Sequence, residues 1–537
     1  MPRIHRYHDG TKHHFHAFAR SLGYLDWASQ PNPFRSFAGA PAVVLPPRPG
    51  AVASCAEPAL DLLGAILRYS LGLSAWKQFR DSRWSLRVNP SSGNLHPTEA
   101  YVVCGDLTRR RSSAPDVSEG GASVSHYAPD RHVLEQRCAF DREAWARFTQ
   151  DSDIVALVAL TSIHWRESWK YGERAFRYCQ HDLGHAIAAI RYSAALAGCR
   201  ATLVPEWSQK EIATLIGIDR DDDYVDAERE EAGCLLAITR HQPPAGSPRS
   251  SSHQPPASSH LLAAVRGGTW TGRANQLSEA HVTWSFIDEI ARATEDAGRS
   301  VSPLQLPNHP ITQLPTSALL LQRRSAVALD GRSSISAAGF FAILAATLPG
   351  SGPPWDALWW DARIHLLLFV HRVDGLEPGL YLLPRNPAAV DRLKAACGRS
   401  FDWAPVIDSL PLVGLAQGDC RALAQRVSCN QEIAADGFFS LGMIADFDAS
   451  LAEFGPSFYR HLFWESGVVG HVLYLEAEAA GARGTGIGCF FDDPVHDVLG
   501  LTGHSFQSLY HFTIGTPVED TRLTTEPGYG WERVRGT

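Results

Sequence analysis

The chain alternates short apolar runs with longer amphipathic stretches, and it does so in both halves. In residues 60–77 the apolar positions recur at the spacing of a core-facing helix. Residues 98–104 and 154–161 are nearly continuous apolar runs and predict strands. Residues 178–198 are rich in alanine and predict a helix that packs closely. Ser208 followed three residues on by Glu211 predicts a capping box opening a helix over 211–218. The second half predicts a buried strand over 364–370, a helix over 467–481 and a strand over 509–514. Helices and strands mixed in this way read as α+β in both halves.

Sliding residues 177–217 forward by 283 positions, without a gap, lays them on 460–500. Arg177 meets Arg460, Asp182 meets Glu465, Gly184 meets Gly467, and Gly217 meets Gly500. Identity is low, yet the glycines and arginines keep register, so the pattern reads as a duplication. The stretch 242–260 is rich in Pro and Ser and reads as a linker. It divides the chain into a first domain at 1–241, a linker at 242–262 and a second domain at 263–537. A polar stretch at 108–126 reads as a surface insertion.

Length and charge narrow the function. With 537 residues the chain suits two domains rather than one core. The net charge of −8 gives no general attraction to nucleic acid. No apolar run reaches the length of a membrane-spanning helix, and the N-terminus lacks the apolar region of a secretory signal. Ten scattered cysteines without a CxxC fit reduced thiols in a cytoplasmic protein.

The sharpest motif is Leu86 to Val103, LRVNPSSGNLHPTEAYVV. Pro90, Ser91, Ser92, Gly93 and Asn94 make a tight loop, expected between a helix and a strand. It offers two hydroxyls, backbone N–H groups and a close approach to a flat ligand, although all five residues also favour ordinary turns. This loop and YSLGLSAWKQF before it resemble the nitroreductase superfamily, closest to its SagB-type, thiazole/oxazole dehydrogenase-like branch in a tandem two-domain form.

That resemblance implies an FMN-dependent oxidoreductase of two nitroreductase-like domains, each a central mixed sheet flanked by helices, paired as an internal pseudo-dimer. It places Pro90, Ser91, Ser92 and Asn94 against the flavin, with Arg87 a weaker candidate. It assigns Arg323, Arg324 and Ser325 to the phosphate, for which a planar guanidinium and a hydroxyl are suited. Gly486, Ile487 and Gly488 resemble the strand end beside the flavin ring, and Arg522 resembles the basic residue near the family's C-terminus. Lys170 and Tyr171 resemble a pair that deprotonates substrate.

These parts are unevenly shared. Residues 357–370 hold no counterpart of the Pro-Ser-Ser loop, Arg35 and Ser36 only partly match 323–325, and 203–207 lacks the glycines. One FMN per chain is therefore expected at the domain interface, with the second pseudo-symmetric site eroded. The substrate is a small molecule or peptide-derived, with NAD(P)H a candidate donor. The internal pair could also dimerise again.

The alternative is a flavin-free protein that keeps the fold and binds a partner in a biosynthetic complex. Three other clusters carry less. The histidines at 5, 8, 13, 14 and 16 read as a frayed polar terminus. Cys429 reads as a buried small residue. Asp492 and Asp493 read as helix-capping acids.

Overall fold

The computed structural model describes residues 1–47, 59–107, 121–240, 258–302, 304, 306 and 314–535. Most of the expected linker and insertion lies outside these residues.

Two seven-strand ladders form the centre. Edge to edge, the first runs Thr269–Trp270, Val133–Phe140, Ala122–Ala128, Thr98–Cys104, Ile154–Ser162, Glu231–Thr239 and Arg200–Leu203, and Ala42–Val44 also pairs with Val133–Phe140. The second runs Ala404–Pro405, Val413–Gln417, Gly379–Leu383, Ile364–Val370, Phe439–Asp446, Phe506–Gly515 and Arg483–Ile487. The fold is α+β. Every described pairing inside the two sheets is antiparallel, a simpler pattern than the mixed sheet expected. Thr98–Cys104 and Ile364–Val370 are buried at every position, which fits their largely apolar sequences, with Thr98, Glu99 and His365 as buried polar exceptions.

The helices repeat in register. Helices α1 (His164–Tyr171), α2 (Ala175–Leu196) and α3 (Gln209–Ile216) have counterparts α4 (Phe447–Phe454), α5 (Phe458–Ala479) and α6 (Asp492–Leu499). Each bound in the second set is the first plus 283. Helix α3 opens on the predicted capping box. Both α3 and α6 close on a left-handed glycine, Gly217 at φ 72° and Gly500 at φ 71°.

The two long helices cross where neither carries a side chain. A Cβ built on Gly184 would collide with the Trp464 carbonyl oxygen, and one on Gly467 with that of His181. His181 and Trp464 are themselves 283 apart, so the contact is isologous, as in a two-fold dimer.

The repeat also reaches further than residues 177–217. Helix Pro2–Gly10 and helix Ser285–Ala293 are again 283 apart. Arg177 donates to Thr11 Oγ1 and the His8 carbonyl, while Arg460 donates to Thr294 Oγ1 and the Ala291 carbonyl. The N-terminus is thus an ordered helix rather than a frayed tail, with Ile4, Tyr7 and His8 buried. His8 is placed to hydrogen-bond with Tyr459 and Gln507, and His5 lies 2.9 Å from Asp448. Among the described residues no group of His, Cys, Asp and Glu is placed to hold a metal ion.

Two further expectations change. The helix expected over 60–77 ends at Arg68, and residues 73–79 form a strand. At Gly72 a Cβ would meet the Arg68 carbonyl, so the chain turns sharply there. The strand pairs with Ser82–Arg87 and with Thr524–Pro527 from the far end of the chain. The Pro-Ser-Ser loop consequently joins two strands, not a helix and a strand. Residues 258–274, mostly assigned to the second half, extend the first. Leu261, Leu262 and Val265 are buried in its core, and Thr269–Trp270 is its edge strand.

Candidate functional site

The loop at 90–94 is held from beneath. Arg87 is buried and donates to the carbonyls of Thr98 and Pro33, and Arg166 donates to the His96 carbonyl. Both arginines share Glu99, whose carboxyl they and His126 hold down at about 2 against its burial. Arg87 is therefore a strut of the loop rather than a group facing a ligand. Ser91 Oγ accepts the His96 N–H at 2.8 Å, and Asn94 Nδ2 donates to the Ser85 carbonyl at 3.0 Å. These bonds fix a left-handed turn at Gly93 (φ 59°) and Asn94 (φ 60°).

The loop docks on the start of α2. Ser92 donates to Asp182 through its N–H (3.1 Å) and its hydroxyl (3.0 Å). Burial pushes the Asp182 carboxyl up to about 7, against the lowering by these hydrogen bonds. Beside it Glu167 is fully buried with neither oxygen hydrogen-bonded, and burial followed by the Asp182 charge raises it well above the carboxylate range.

Lys170 and Tyr171 close the same corner. A Cβ on Gly93 would lie 2.5 Å from the Tyr171 hydroxyl and 3.2 Å from Lys170 Nζ. Glycine is required there both by its φ and by this approach. The next basic residues face away. Arg174 and Arg177 both bind Asp492, at 2.9 and 2.8 Å, and Arg174 also donates to the Gly488 carbonyl. Asp492 is an ion-pair anchor between the halves, more than the helix cap expected.

The second half supplies the opposite wall. Arg323 donates through Nε to the Val88 carbonyl (3.0 Å) and through Nη2 to the Arg87 carbonyl, just before the loop. Its buried Nη1 has no partner. Arg324 is tied to Ser74, and the exposed Ser325 meets Tyr474 hydroxyl to hydroxyl at 2.9 Å. Tyr474 also accepts the Gly486 N–H. Gly486 and Gly488 make room for tyrosines: a Cβ on either would strike Tyr510 or Tyr178 respectively. Ile487 is core. Tyr178 packs edge-on against Tyr171 at 4.6 Å, which joins the glycine strand to the Lys-Tyr corner.

Charge at this wall is unbalanced. Burial, with neighbouring Arg323 and Arg483 adding to it against Glu478, lowers Arg324 to about 10. Lys77 is lowered by burial, with Arg324 and Arg483 adding to it. Against these four cations the nearby acids are Glu478 and Glu519. Such crowding is relieved by an anion, and a phosphate fits both the charge and the donor set. The residues therefore fit a flat ligand with an anionic tail. Arg522 stands outside: it is exposed and pairs with Asp520.

The pseudo-symmetric interface is filled. Thr98 and Ile364 pair with residues 162 and 445, which are 283 apart, so loop 90–94 corresponds to Asp356–Trp360. Here Asp356 binds Arg191 at 2.8 Å and Arg200 at 3.3 Å. Trp360 donates to Glu465, the counterpart of Asp182. Trp359, Trp207, Trp464 and His461 leave a cavity of only ≈ 30 Å³ beside Leu203 and Pro205. Sequence reasoning missed this plug, although the WW pair at 359–360 was a visible signal.

No family model matches the chain, and no curated protein matches it either. Among solved structures, a presumed nitroreductase from Anabaena variabilis matches with a TM-score of 0.66 at 20% identity, covering 96% of this chain and 99% of that one. The E. coli microcin synthetase McbBCD complex with truncated pro-MccB17 bound matches at 15% identity over 46% of this chain and 85% of that one, with a TM-score of 0.29. Nitroreductase A from Vibrio parahaemolyticus matches at 16% identity over 38% and 66%, with a TM-score of 0.24. The first of these establishes a fold shared with a nitroreductase-type protein over nearly the whole of both chains.

Proposed function

We propose that the protein is an FMN-dependent oxidoreductase of the SagB-type, thiazole/oxazole dehydrogenase-like kind, with one flavin per chain between two nitroreductase-like domains. The observation that carries this is convergence. The Pro-Ser-Ser loop, the Lys-Tyr corner, the glycine strand and the under-neutralised cations meet at one interface, while its pseudo-symmetric partner is plugged.

Arg323, Arg324 and Arg483 would hold the phosphate, and Ser92, Gly93 and Ser325 would border the ring. Bound flavin supplies two-electron transfer. The chain's own part is proton handling and position. Asp182 and Glu167, both raised by burial, keep protons near neutral pH beside the Tyr171 hydroxyl and Lys170 Nζ. The pair would exchange a proton with a small or peptide-derived substrate bound at this corner.

The test is flavin content. Purified protein, as isolated or after incubation with FMN, is expected to carry about one FMN per chain by absorbance and released flavin. Two per chain would overturn the single-site reading. One observation favours the flavin-free alternative: the Gly486 N–H is already taken by Tyr474, and tyrosines cover both glycines. Protein that stays colourless after incubation would select it.

A further inference from the structure

Cys489 directly follows Gly488 at the end of the glycine strand, and Cys429 lies across from it. Both are half-buried, not sealed in the core. Their sulfurs are 2.9 Å apart. An S–S bond is about 2.05 Å long, so closing one requires less than an ångström of net sulfur movement. The backbone on the Cys429 side is set for this close approach, with Cys429 and Asn430 both at positive φ. Gln431 clamps the other side by donating to the Cys489 carbonyl at 2.9 Å.

The surroundings carry both charges, since Arg174 and Asp492, ion-paired at 2.9 Å, lie beside the cysteines. The Arg174 guanidinium binds the Gly488 carbonyl one residue away, and the His13 ring hydrogen-bonds to Cys489. His13 Nδ1 accepts the Ala19 N–H, which leaves Nε2 as the donor toward sulfur. The Cys429 thiol, then His13 and Arg174, hold the Cys489 thiol well below its ordinary value, while sharing the proton raises Cys429. The shared proton gives Cys489 thiolate character, the form from which a disulfide closes. Among the described residues Cys397 is the other half-buried cysteine, and no other thiol lies against it.

We propose that Cys429 and Cys489 are a reversible dithiol–disulfide couple that exchanges two electrons with the flavin of the adjoining site. The exchange rests on the flavin reading above; the couple itself does not. On oxidation the Cys489 thiolate and the Cys429 thiol lose two electrons and the Cys429 proton, and one S–S bond forms. Those two electrons and the proton would pass to a bound oxidised flavin, which accepts two electrons and one proton on reduction. The reverse reaction breaks the S–S bond and regenerates thiol and thiolate.

The test has two arms. Flavin-free protein is equilibrated without oxygen across a series of reduced and oxidised glutathione, quenched in acid, alkylated and mapped by mass spectrometry. The expected result is a 429–489 linkage appearing in one two-electron transition, absent from Cys429→Ser and Cys489→Ser. Failure to form that linkage in fully oxidised glutathione, or glutathione adducts alone, overturns the couple whether or not FMN binds. In the second arm FMN-loaded dithiol protein is kept without oxygen, and loss of the flavin's visible absorbance is compared with the linkage formed. Matching stoichiometry supports the exchange. Bound flavin that does not respond overturns it. If the linkage forms but FMN never binds, the flavin reading and the exchange fall and the couple stands.

Discussion

The two pseudo-symmetric interfaces start from one helix pair and end differently. At the first, positions 92 and 94 are Ser and Asn, and the acid on the long helix is Asp182, satisfied by a serine. At the second the corresponding residues are Leu358 and Trp360, and the acid is Glu465. Glu465 is satisfied by the Trp360 indole, the backbone N–H groups of Arg363 and Ile364, and the Arg385 guanidinium. Lys170 and Tyr171 face Glu453 and Phe454 in the repeat, and Phe454 packs on Trp359. The second interface is filled by large aromatic rings and a carboxylate whose lone pairs are all used. At the first interface Asp182 is held by Ser92, Glu167 has no hydrogen-bond partner, and the cations are under-neutralised.

The shared part should be the most fragile. Gly467→Ala places a methyl against the His181 carbonyl at the crossing both interfaces depend on. Overpacking costs about 1–3 kcal/mol where neighbours can shift, and more here because backbone opposes it. The expected outcome is loss of the cooperative thermal transition. A melting temperature near that of the parent would show the helices cross elsewhere.

The anchors of the halves are chemically different at equivalent positions. Asp492 holds Arg174, Arg177 and the His13 N–H, whereas Gln209 bonds only the Ala232 carbonyl and the Asp296 N–H. Removing one side of a buried ion pair costs about 3–5 kcal/mol, and losing neutral hydrogen bonds about 1–3 kcal/mol. Asp492→Ala should therefore lower the denaturation midpoint clearly more than Gln209→Ala. Equal losses would mean the arginines find other acceptors.

Asp182 gives the comparison a pH axis. Its folded value of about 7 exceeds the ordinary 3.8, so the folded state binds the extra proton. Stability from this group is present below the ordinary value and is lost as pH rises through about 7. Asp182→Asn removes the dependence. Its melting temperature, compared with the parent, should improve from about pH 4 to about pH 7 and level off above that. A constant difference across that range would place the carboxyl in an environment that does not favour its proton.

Much of this arrangement was legible in sequence because it depends on backbone geometry. The 283-residue register survived in Gly184, Gly467, Gly217 and Gly500, each fixed by a crossing or a left-handed cap. The helix over 60–77 misled because residues 73–79 owe their strand to pairing with residues 524–527, a partner some 450 positions away that no local period reveals. The N-terminal helix was hidden for a similar reason. Its histidines look solvent-facing until Asp448, Tyr459 and Gln507 are brought over them. The Pro-Ser-Ser loop and the Lys-Tyr pair could be named from sequence, but their contact through Gly93 could not.

The smallest effect separates two arginines that the sequence treats alike. Arg324 is mostly buried, bonded to Ser74 and crowded by Arg323 and Arg483, so on the proposed reading a bound phosphate would gain most from it. Arg522 is fully solvated and already spent on Asp520. Measured by flavin fluorescence titration, Arg324→Ala should weaken FMN binding by about tenfold, or 1.4 kcal/mol, and Arg522→Ala by less than about twofold. The charge removed is the same in both variants, so the difference reads out solvation and neighbours alone. An equal loss from both would mean that Arg522 leaves Asp520 and swings across the Phe79 ring, 5.5 Å from its guanidinium, when phosphate arrives.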